Sequence, residues 1–258
     1  MKVKIAVLQY EVPEESDASF KKLDEMVSQA VWSRVKLVVA PETSVGELKE
    51  VKEKDIDYLS KLSEIAEKYK VFLSTSYYTK DKGKIYNQGC IISPQGKTVL
   101  SHRKIYLAKP EKDEGVSSGK KLEVCDSEIG KIGMMICKDG FNKYSHFLYE
   151  KYNQQGAEIT CIPAWSLGWK EMNTQEYIKA MYVYGAFISR SFILMSGNLN
   201  VSSNSFGRSL IISPIKGVLK EGSINHKEIL VEELDLDEVV KAREFDSWWQ
   251  PKNKVEVS

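Results

Sequence analysis

Three side chains able to share acid-base and nucleophilic work each stand where a strand-like run ends. Glu42 follows Val38-Val39-Ala40-Pro41, Lys104 follows Leu100-Ser101-His102-Arg103, and Cys137 follows Gly133-Met134-Met135-Ile136. In open α/β sheets ligands bind at the carboxyl ends of strands, so these are positions where chemistry collects. Cys137 continues into Lys138-Asp139-Gly140 and then a helix near Asn142, the layout of a nucleophile on a sharp turn. The backbone N–H groups that follow it are suited to an oxyanion. A thiol of ordinary pKa is mostly protonated at neutral pH and needs a base or a cation beside it, which Glu42 and Lys104 would supply. Spacing alone leaves a plainer reading open: a Glu or Lys at a strand end commonly solvates a surface, and a Cys in an apolar run commonly fills the core.

The remaining candidates read as structural. Cys90, Cys125 and Cys161 lie in strand-like runs beside Ile or Val, as small buried hydrophobes do. The cysteines form no C-x-x-C pair, and no histidine stands at ligand spacing, so neither a metal site nor a cofactor is expected. His102, His146 and His226 pair with no Ser or Cys in the manner of a Ser-His-Asp hydrolase.

The elements that must hold these residues follow from hydrophobic period. Val3 to Leu8 and Leu37 to Ala40 read as buried strands, and Ser19 to Trp32 and Ile56 to Tyr69 repeat apolar residues at helical spacing. Val71 to Tyr78, Tyr86 to Ser93 and Thr98 to Arg103 are strand-like runs separated by Lys82-Gly83 and Pro94-Gln95-Gly96 turns, so they pair as hairpins. Strand and helix alternate again through Ile132 to Ile136, Tyr144 to Tyr152 and Ile159 to Ile162, an α/β pattern. Ile92-Ser93-Pro94-Gln95-Gly96 is echoed about 120 residues later by Ile212-Ser213-Pro214 with Gly217, and Leu37 to Pro41 by Ile159 to Pro163. That separation exceeds any solenoid period and suggests two similar halves of one domain.

With 258 residues the chain suits a single domain. Lys plus Arg number 37 and Asp plus Glu 36, so no net field recruits nucleic acid or an anionic membrane. The expected partner is a small molecule. The first apolar run is too short for a secretory signal, and Met181 to Val201 is interrupted by Arg190 and polar residues, so a cytoplasmic protein without a transmembrane helix is expected. Asn200-Val201-Ser202 matches a glycosylation sequon but carries no weight in that compartment.

Taken together, Pro41-Glu42, Tyr86-Asn87 with Pro94 and Gly96, His102 to Leu107, and Gly133 to Cys137 with Asp139 resemble the nitrilase superfamily of carbon-nitrogen hydrolases in order and spacing. The resemblance continues through Ser205-Phe206-Gly207-Arg208-Ser209 to the Pro214–Gly217 turn, over nearly the whole chain. It implies a four-layer αββα sandwich with two pseudo-symmetric halves in one domain, residues 1–242, and a C-terminal tail, 243–258, packing at a subunit interface of a homodimer or higher homo-oligomer. The tail's Phe245, Trp248 and Trp249 are more aromatic than solvent-exposed chain usually is.

The resemblance further implies that Glu42, Lys104 and Cys137 are catalytic, as general base, stabiliser of the tetrahedral intermediate and nucleophile. A second glutamate is expected at Glu114, in Asp113-Glu114-Gly115, with Glu111 as the rival, and Trp165 is expected in the substrate pocket. The implied activity is hydrolysis of an amide to acid and ammonia through a thioester. Nitrile or N-carbamoyl hydrolysis is the alternative, and a non-catalytic binding protein on the same scaffold is a remote one that retention of all three reactive residues disfavours. The chain departs from the family pattern at Lys138-Asp139-Gly140-Phe141-Asn142, where an aromatic residue and an Arg-Phe-Pro-Glu-like continuation are usual, and over Lys179 to Phe192, which lacks the usual acidic residue and Asn. Lys138 or Arg190 is a candidate to bind a substrate carboxylate, and either reads equally as a surface charge.

Overall fold

Residues Val3 to Leu8 alternate between two apolar surroundings, and that alternation sets the architecture. The computed structural model describes residues 1–46, 48–53, 56–166, 168, 172–199 and 207–248, the last three by backbone alone. In β1 (Lys2–Gln9), Ile5 and Val7 face one core, whereas Ala6 and Leu8 face another, as successive strand residues must.

The first half contributes β1, α1 (Ser16–Val31), β2 (Leu37–Val39), α2 (Leu48–Glu53), α3 (Tyr58–Tyr69), β3 (Phe72–Asp81), β4 (Lys84–Ile92), β5 (Thr98–Arg103) and the short α4 (Lys109–Asp113). The second contributes β6 (Val124–Ser127), β7 (Gly130–Met134), a 3₁₀ turn (Cys137–Asp139), α5 (Ser145–Gln155), β8 (Ile159–Ala164), α6 (Thr174–Ser189), β9 (Phe192–Gly197), β10 (Leu210–Ser213) and β11 (Gly217–Glu221). After them come β12 (Glu228–Asp235) and α7 (Asp237–Trp248).

Two six-stranded sheets result, in the orders β12-β1-β2-β3-β4-β5 and β11-β10-β9-β8-β7-β6. Each has three parallel strands, β1-β2-β3 or β7-β8-β9, extended by antiparallel strands on both sides. Ile5, Val7, Leu37, Val39 and Ile91 of the first sheet meet Ile132, Met134, Ile159, Leu194 and Ile211 of the second in a shared central core. Phe20, Leu23, Met26, Leu62 and Ile65 on α1 and α3 cover the outer face of the first sheet. Tyr149, Tyr152, Tyr182 and Ala186 on α5 and α6 cover the second. The layering is αββα.

The sequence echo marks equivalent places. The Ser93 hydroxyl accepts from the N–H groups of Gln95 and Lys97 between β4 and β5, and Ser213 accepts from Ile215 and Lys216 between β10 and β11. Gly96 and Gly217 both take φ +73°, the left-handed conformation in which a side chain is disfavoured. The other echoed pair, Leu37 to Pro41 and Ile159 to Pro163, falls on β2 and β8, each the middle of its three parallel strands.

The described part of the apolar stretch from Met181, through Leu199, contains the end of α6 and then β9, with Arg190 between them at φ 50°. Two details differ from the sequence reading. The boundary drawn between 242 and 243 falls inside α7, so helix runs unbroken from the expected domain into the expected tail. The Lys109–Asp113 stretch is a helix, α4, that the sequence reading did not assign. Asn200-Val201-Ser202, Ser205-Phe206 and the tail from Trp249 onward lie outside the described residues. Among the described residues no helix is long and apolar enough to cross a membrane.

Candidate active site

Pro41 and Glu42 leave the end of β2, and Thr43 takes φ 48° with its N–H on the Ser76 hydroxyl, 2.9 Å away. The chain thereby turns within the sheet-to-sheet space and leaves the Glu42 side chain buried. Lys104 is the residue after β5, its backbone N–H held by the Asn87 carbonyl of β4 at 3.0 Å. Cys137 opens the turn after β7 at φ 47°, a left-handed conformation rare for a residue with a side chain and typical of strained functional positions. The strand beneath it is pinned by Tyr152, whose hydroxyl accepts the Met134 N–H at 2.8 Å. Gly133 makes room for that tyrosine: a Cβ there would lie 2.7 Å from its ring.

These strand ends converge on one cluster. Lys104 Nζ lies 2.6 Å from Glu42 Oε1 and 2.8 Å from Glu111 Oε2, with all three side chains buried. Asn87 Nδ2 donates to Glu42 Oε1 at 2.8 Å and to Glu111 Oε1 at 2.9 Å. The Trp165 N–H donates to Glu42 Oε2 at 2.9 Å, and its carbonyl accepts from the Cys137 thiol at 3.5 Å.

The electrostatics follow from one cation among two carboxylates in a dry space. Burial pushes the Glu42 carboxyl above the ordinary carboxylate range; Lys104 pulls it down and Glu111 adds to the rise. Burial works against the charge on Lys104, but the negative groups around it, Glu42 first, hold the ammonium protonated well above its ordinary value. Burial and then the Glu42 charge push the Cys137 thiol well up, against the pull of Lys104. Burial thus works against charge on both Glu42 and Cys137, with the Lys104 ammonium opposing it at each. Cys90 and Cys161 are pushed up to about 12 by burial, without such a base at hand. All four cysteines are free thiols.

Of the two candidates for the second glutamate, the structure brings Glu111 and not Glu114 to Lys104. Glu114 lies at the exposed end of α4 and pairs with Lys52 at 2.5 Å, whereas Glu111 meets Lys104. Glu111 stands in the first turn of α4 after Pro110, and its Oε2 also accepts the Ala108 N–H at 2.7 Å, which folds the carboxylate back over the helix start toward the site. Trp165 enters through its backbone, and its half-buried ring has no hydrogen-bond partner for Nε1 among the described residues. Lys138 is half-buried beside the nucleophile, its ammonium 3.1 Å from the Leu107 carbonyl. Arg190 sits at the C-terminal end of α6 with its guanidinium 4.0 Å from the Phe187 ring centre.

Sequence reasoning gave no role to Asn87, His102 or Asp139. Asp139 Oδ1 accepts from the N–H groups of Ile105 and Tyr106, and Oδ2 from Ile136 N–H and His102 Nε2, so one buried carboxylate ties the Lys104 exit to the Cys137 turn. The available signal was an amide and a carboxylate set within or beside apolar runs, where burial demands partners.

Comparison with known proteins agrees with this geometry. A family model described as carbon-nitrogen hydrolase matches residues 4–244. The chain is 26% identical to the deaminated glutathione amidase of Dictyostelium discoideum over 254 residues, covering 88% of this chain and 85% of that protein. It is 28% identical to omega-amidase NIT2 of Danio rerio over 177 residues, 63% of each. Among solved structures, Nit3 of Saccharomyces cerevisiae, of the nitrilase superfamily, superposes with a TM-score of 0.85 at 21% identity, covering 98% of this chain and 97% of that one. A carbon-nitrogen hydrolase from Helicobacter pylori G27 gives 0.85 at 19% identity, covering 96% and 94%.

Proposed function

The chain belongs to the carbon-nitrogen hydrolase family and is a hydrolase acting on carbon-nitrogen bonds; within that class we propose that it converts a small-molecule amide to a carboxylic acid and ammonia through a thioester on Cys137. The observation that carries this reading is the Glu42 carboxylate, held by Lys104 at 2.6 Å and linked to the buried Cys137 through Trp165, whose N–H reaches Glu42 and whose carbonyl accepts from the thiol.

Glu42 Oε1 is occupied by Lys104 and Asn87, which leaves Oε2, steadied by the Trp165 N–H, to take the thiol proton. The sulfur attacks the amide carbon, and the carbonyl π electrons move onto oxygen. Lys104 and the Lys138 backbone N–H stabilise that oxyanion. As it collapses, the carbon-nitrogen bond breaks, Glu42 returns the proton to nitrogen, and ammonia leaves. Water then attacks the thioester while Glu42 takes its proton; the carbon-sulfur bond breaks, the sulfur is reprotonated and the acid departs. A base of raised pKa suits both proton transfers near neutral pH. Glu111 holds Lys104 in register.

Two finer assignments belong to the same proposal. Lys138, next to Cys137, gives one N–H to the Leu107 carbonyl and has no other hydrogen-bond partner among the described residues, which supports binding of a substrate carboxylate. The similarity to an omega-amidase points the same way. Copies of the chain also associate, through the outward faces of α5 and α6, where Phe147, Tyr177, Tyr184 and Phe187 are all about half exposed.

The test is ammonia release from aliphatic amides, ω-amides, N-carbamoyl acids and nitriles by the protein and its Cys137→Ala variant. Release from amides that the substitution abolishes is expected. A preference for nitriles or carbamoyl acids would reassign the substrate class, and no release from any class by a folded protein would overturn the proposal. Lys138→Met is expected to erase a preference for acidic over neutral amides; an unchanged preference removes its role.

A further inference from the structure

The cluster holds two carboxylates and one ammonium, so a neutral group must keep the carboxylates from repelling one another. Lys104 Nζ binds Oε1 of Glu42 and Oε2 of Glu111, leaving Glu111 Oε1 outside its reach as a hydrogen-bond partner. Asn87 Nδ2 occupies the gap, with one N–H on Glu42 Oε1 and the other on Glu111 Oε1, at 2.8 and 2.9 Å. Glu111 Oε2 also accepts the Ala108 N–H at 2.7 Å, and the Tyr78 hydroxyl, 3.5 Å from Oε1, offers one long contact to one carboxylate. Asn87 is fully buried on β4, and its Oδ1 has no hydrogen-bond partner among the described residues. Only one orientation of the amide is compatible with two carboxylates, since the reverse would turn an acceptor toward acceptors. The residue is thus used for its two donors at the expense of its carbonyl.

From this geometry we propose that Asn87 is a positioning residue that keeps Glu42 ionised in the resting enzyme and leaves Oε2 of that carboxylate as the face turned to Cys137. The inference rests on the amide-hydrolase reading above, in which an unprotonated Glu42 takes the thiol proton. A donor to an anion stabilises the charged form, so removing both donors raises the proton affinity of the pair. The unprotonated base then appears only at higher pH. A loss of one donor to each carboxylate corresponds to a rise of about one pH unit, or about tenfold less base on the acid side of the transition.

The experiment follows alkylation of Cys137 by iodoacetamide as a function of pH, with peptide mapping to separate it from Cys90, Cys125 and Cys161, in the intact protein and in Asn87→Leu and Asn87→Asp. Leucine matches the amide roughly in size and donates nothing. Aspartate matches it closely, and even protonated it offers one donor in place of two. The backbone carbonyl of residue 87 that holds Lys104 N–H is kept in both. The expected result is a midpoint moved about one unit to higher pH in each variant, with about tenfold slower labelling on the acid side. A residue of purely structural importance would lower the rate at every pH and leave the midpoint where it was. An unmoved midpoint in either folded variant, with selective labelling of Cys137 in the wild type, would overturn the inference alone. Wild-type Cys137 reacting no faster than the other three cysteines would overturn the amide-hydrolase reading, and the inference with it.

Discussion

At the scale of single residues, position relative to a strand end explains what the sequence revealed. Glu42, Lys104 and Cys137 each lie just past a strand, and a strand end leaves the side chains that follow at the sheet's edge. The second glutamate had no such marker. Glu111 and Glu114 are three residues apart, and the difference between them is made by Pro110 starting a helical turn that carries Glu111 inward while Glu114 ends it. Glu111→Gln is expected to lower kcat/KM by about tenfold to a hundredfold, since a hydrogen bond to a charged group is worth about 1.5–3 kcal/mol. Glu114→Gln removes an exposed pair with Lys52 worth about 1 kcal/mol or less to stability and should leave kcat/KM within about twofold. Steady-state kinetics on the amide identified by the panel decide it; equal effects would return the role to Glu114 or deny it to both.

At the scale of elements, the decisive joint is between the exit of β5 and the turn after β7. Asp139 holds both, with four N–H donors on two oxygens, and it is fully buried. Asp139→Asn keeps the shape but replaces one accepting oxygen by a donor, leaving the His102 and Ile136 donors or the Ile105 and Tyr106 donors unpaired. A loss of about 3 kcal/mol in urea unfolding is expected, as for other broken buried charge networks, together with slower alkylation of Cys137. A variant as stable as wild type would show that the joint is held otherwise. The elements themselves were legible wherever one face alone was buried. Met181 to Leu199 was not, because the outward face of α6 is itself aromatic, with Tyr184 and Phe187 half exposed, and the buried β9 follows, so period cannot divide them; the break is the left-handed Arg190. β11 was equally faint, since its residues are half-buried or exposed and carry no clean alternation.

At the scale of the whole molecule, the two sheets repeat one pattern: three parallel strands flanked by antiparallel ones, with equivalent serine-glycine turns. The active cluster draws on both halves, Glu42 and Lys104 from one and Cys137 and Trp165 from the other, so its integrity depends on the sheets remaining packed. The aromatic residues on α5 and α6 lie on the outer layer, away from that packing, and a half-exposed row of Phe and Tyr is costly to leave in water. Light scattering after size-exclusion chromatography is expected to give a dimer or larger assembly, and a Tyr184→Lys, Phe187→Asp double variant to give a smaller species. A wild-type monomer, or an unchanged assembly in the variant, would remove the proposed association through this face.

Local pattern carried the α/β class and the two-half plan, through hydrophobic period and turns, while Glu42, Lys104 and Cys137 stood out by their place past strand ends and were joined into one site by the resemblance. The tertiary structure alone decided which carboxylate joins Lys104, that Asn87 stands between the two, and that Asp139 ties the base's side of the site to the nucleophile's. The bonds of Asn87 to Glu111, His102 to Asp139 and Lys104 to Glu42 span 24, 37 and 62 positions, while Lys104 and Glu111, only seven apart, meet through the turn of α4. No local pattern records such distances. They exist only once two sheets are pressed face to face and every buried polar group has had to find a partner.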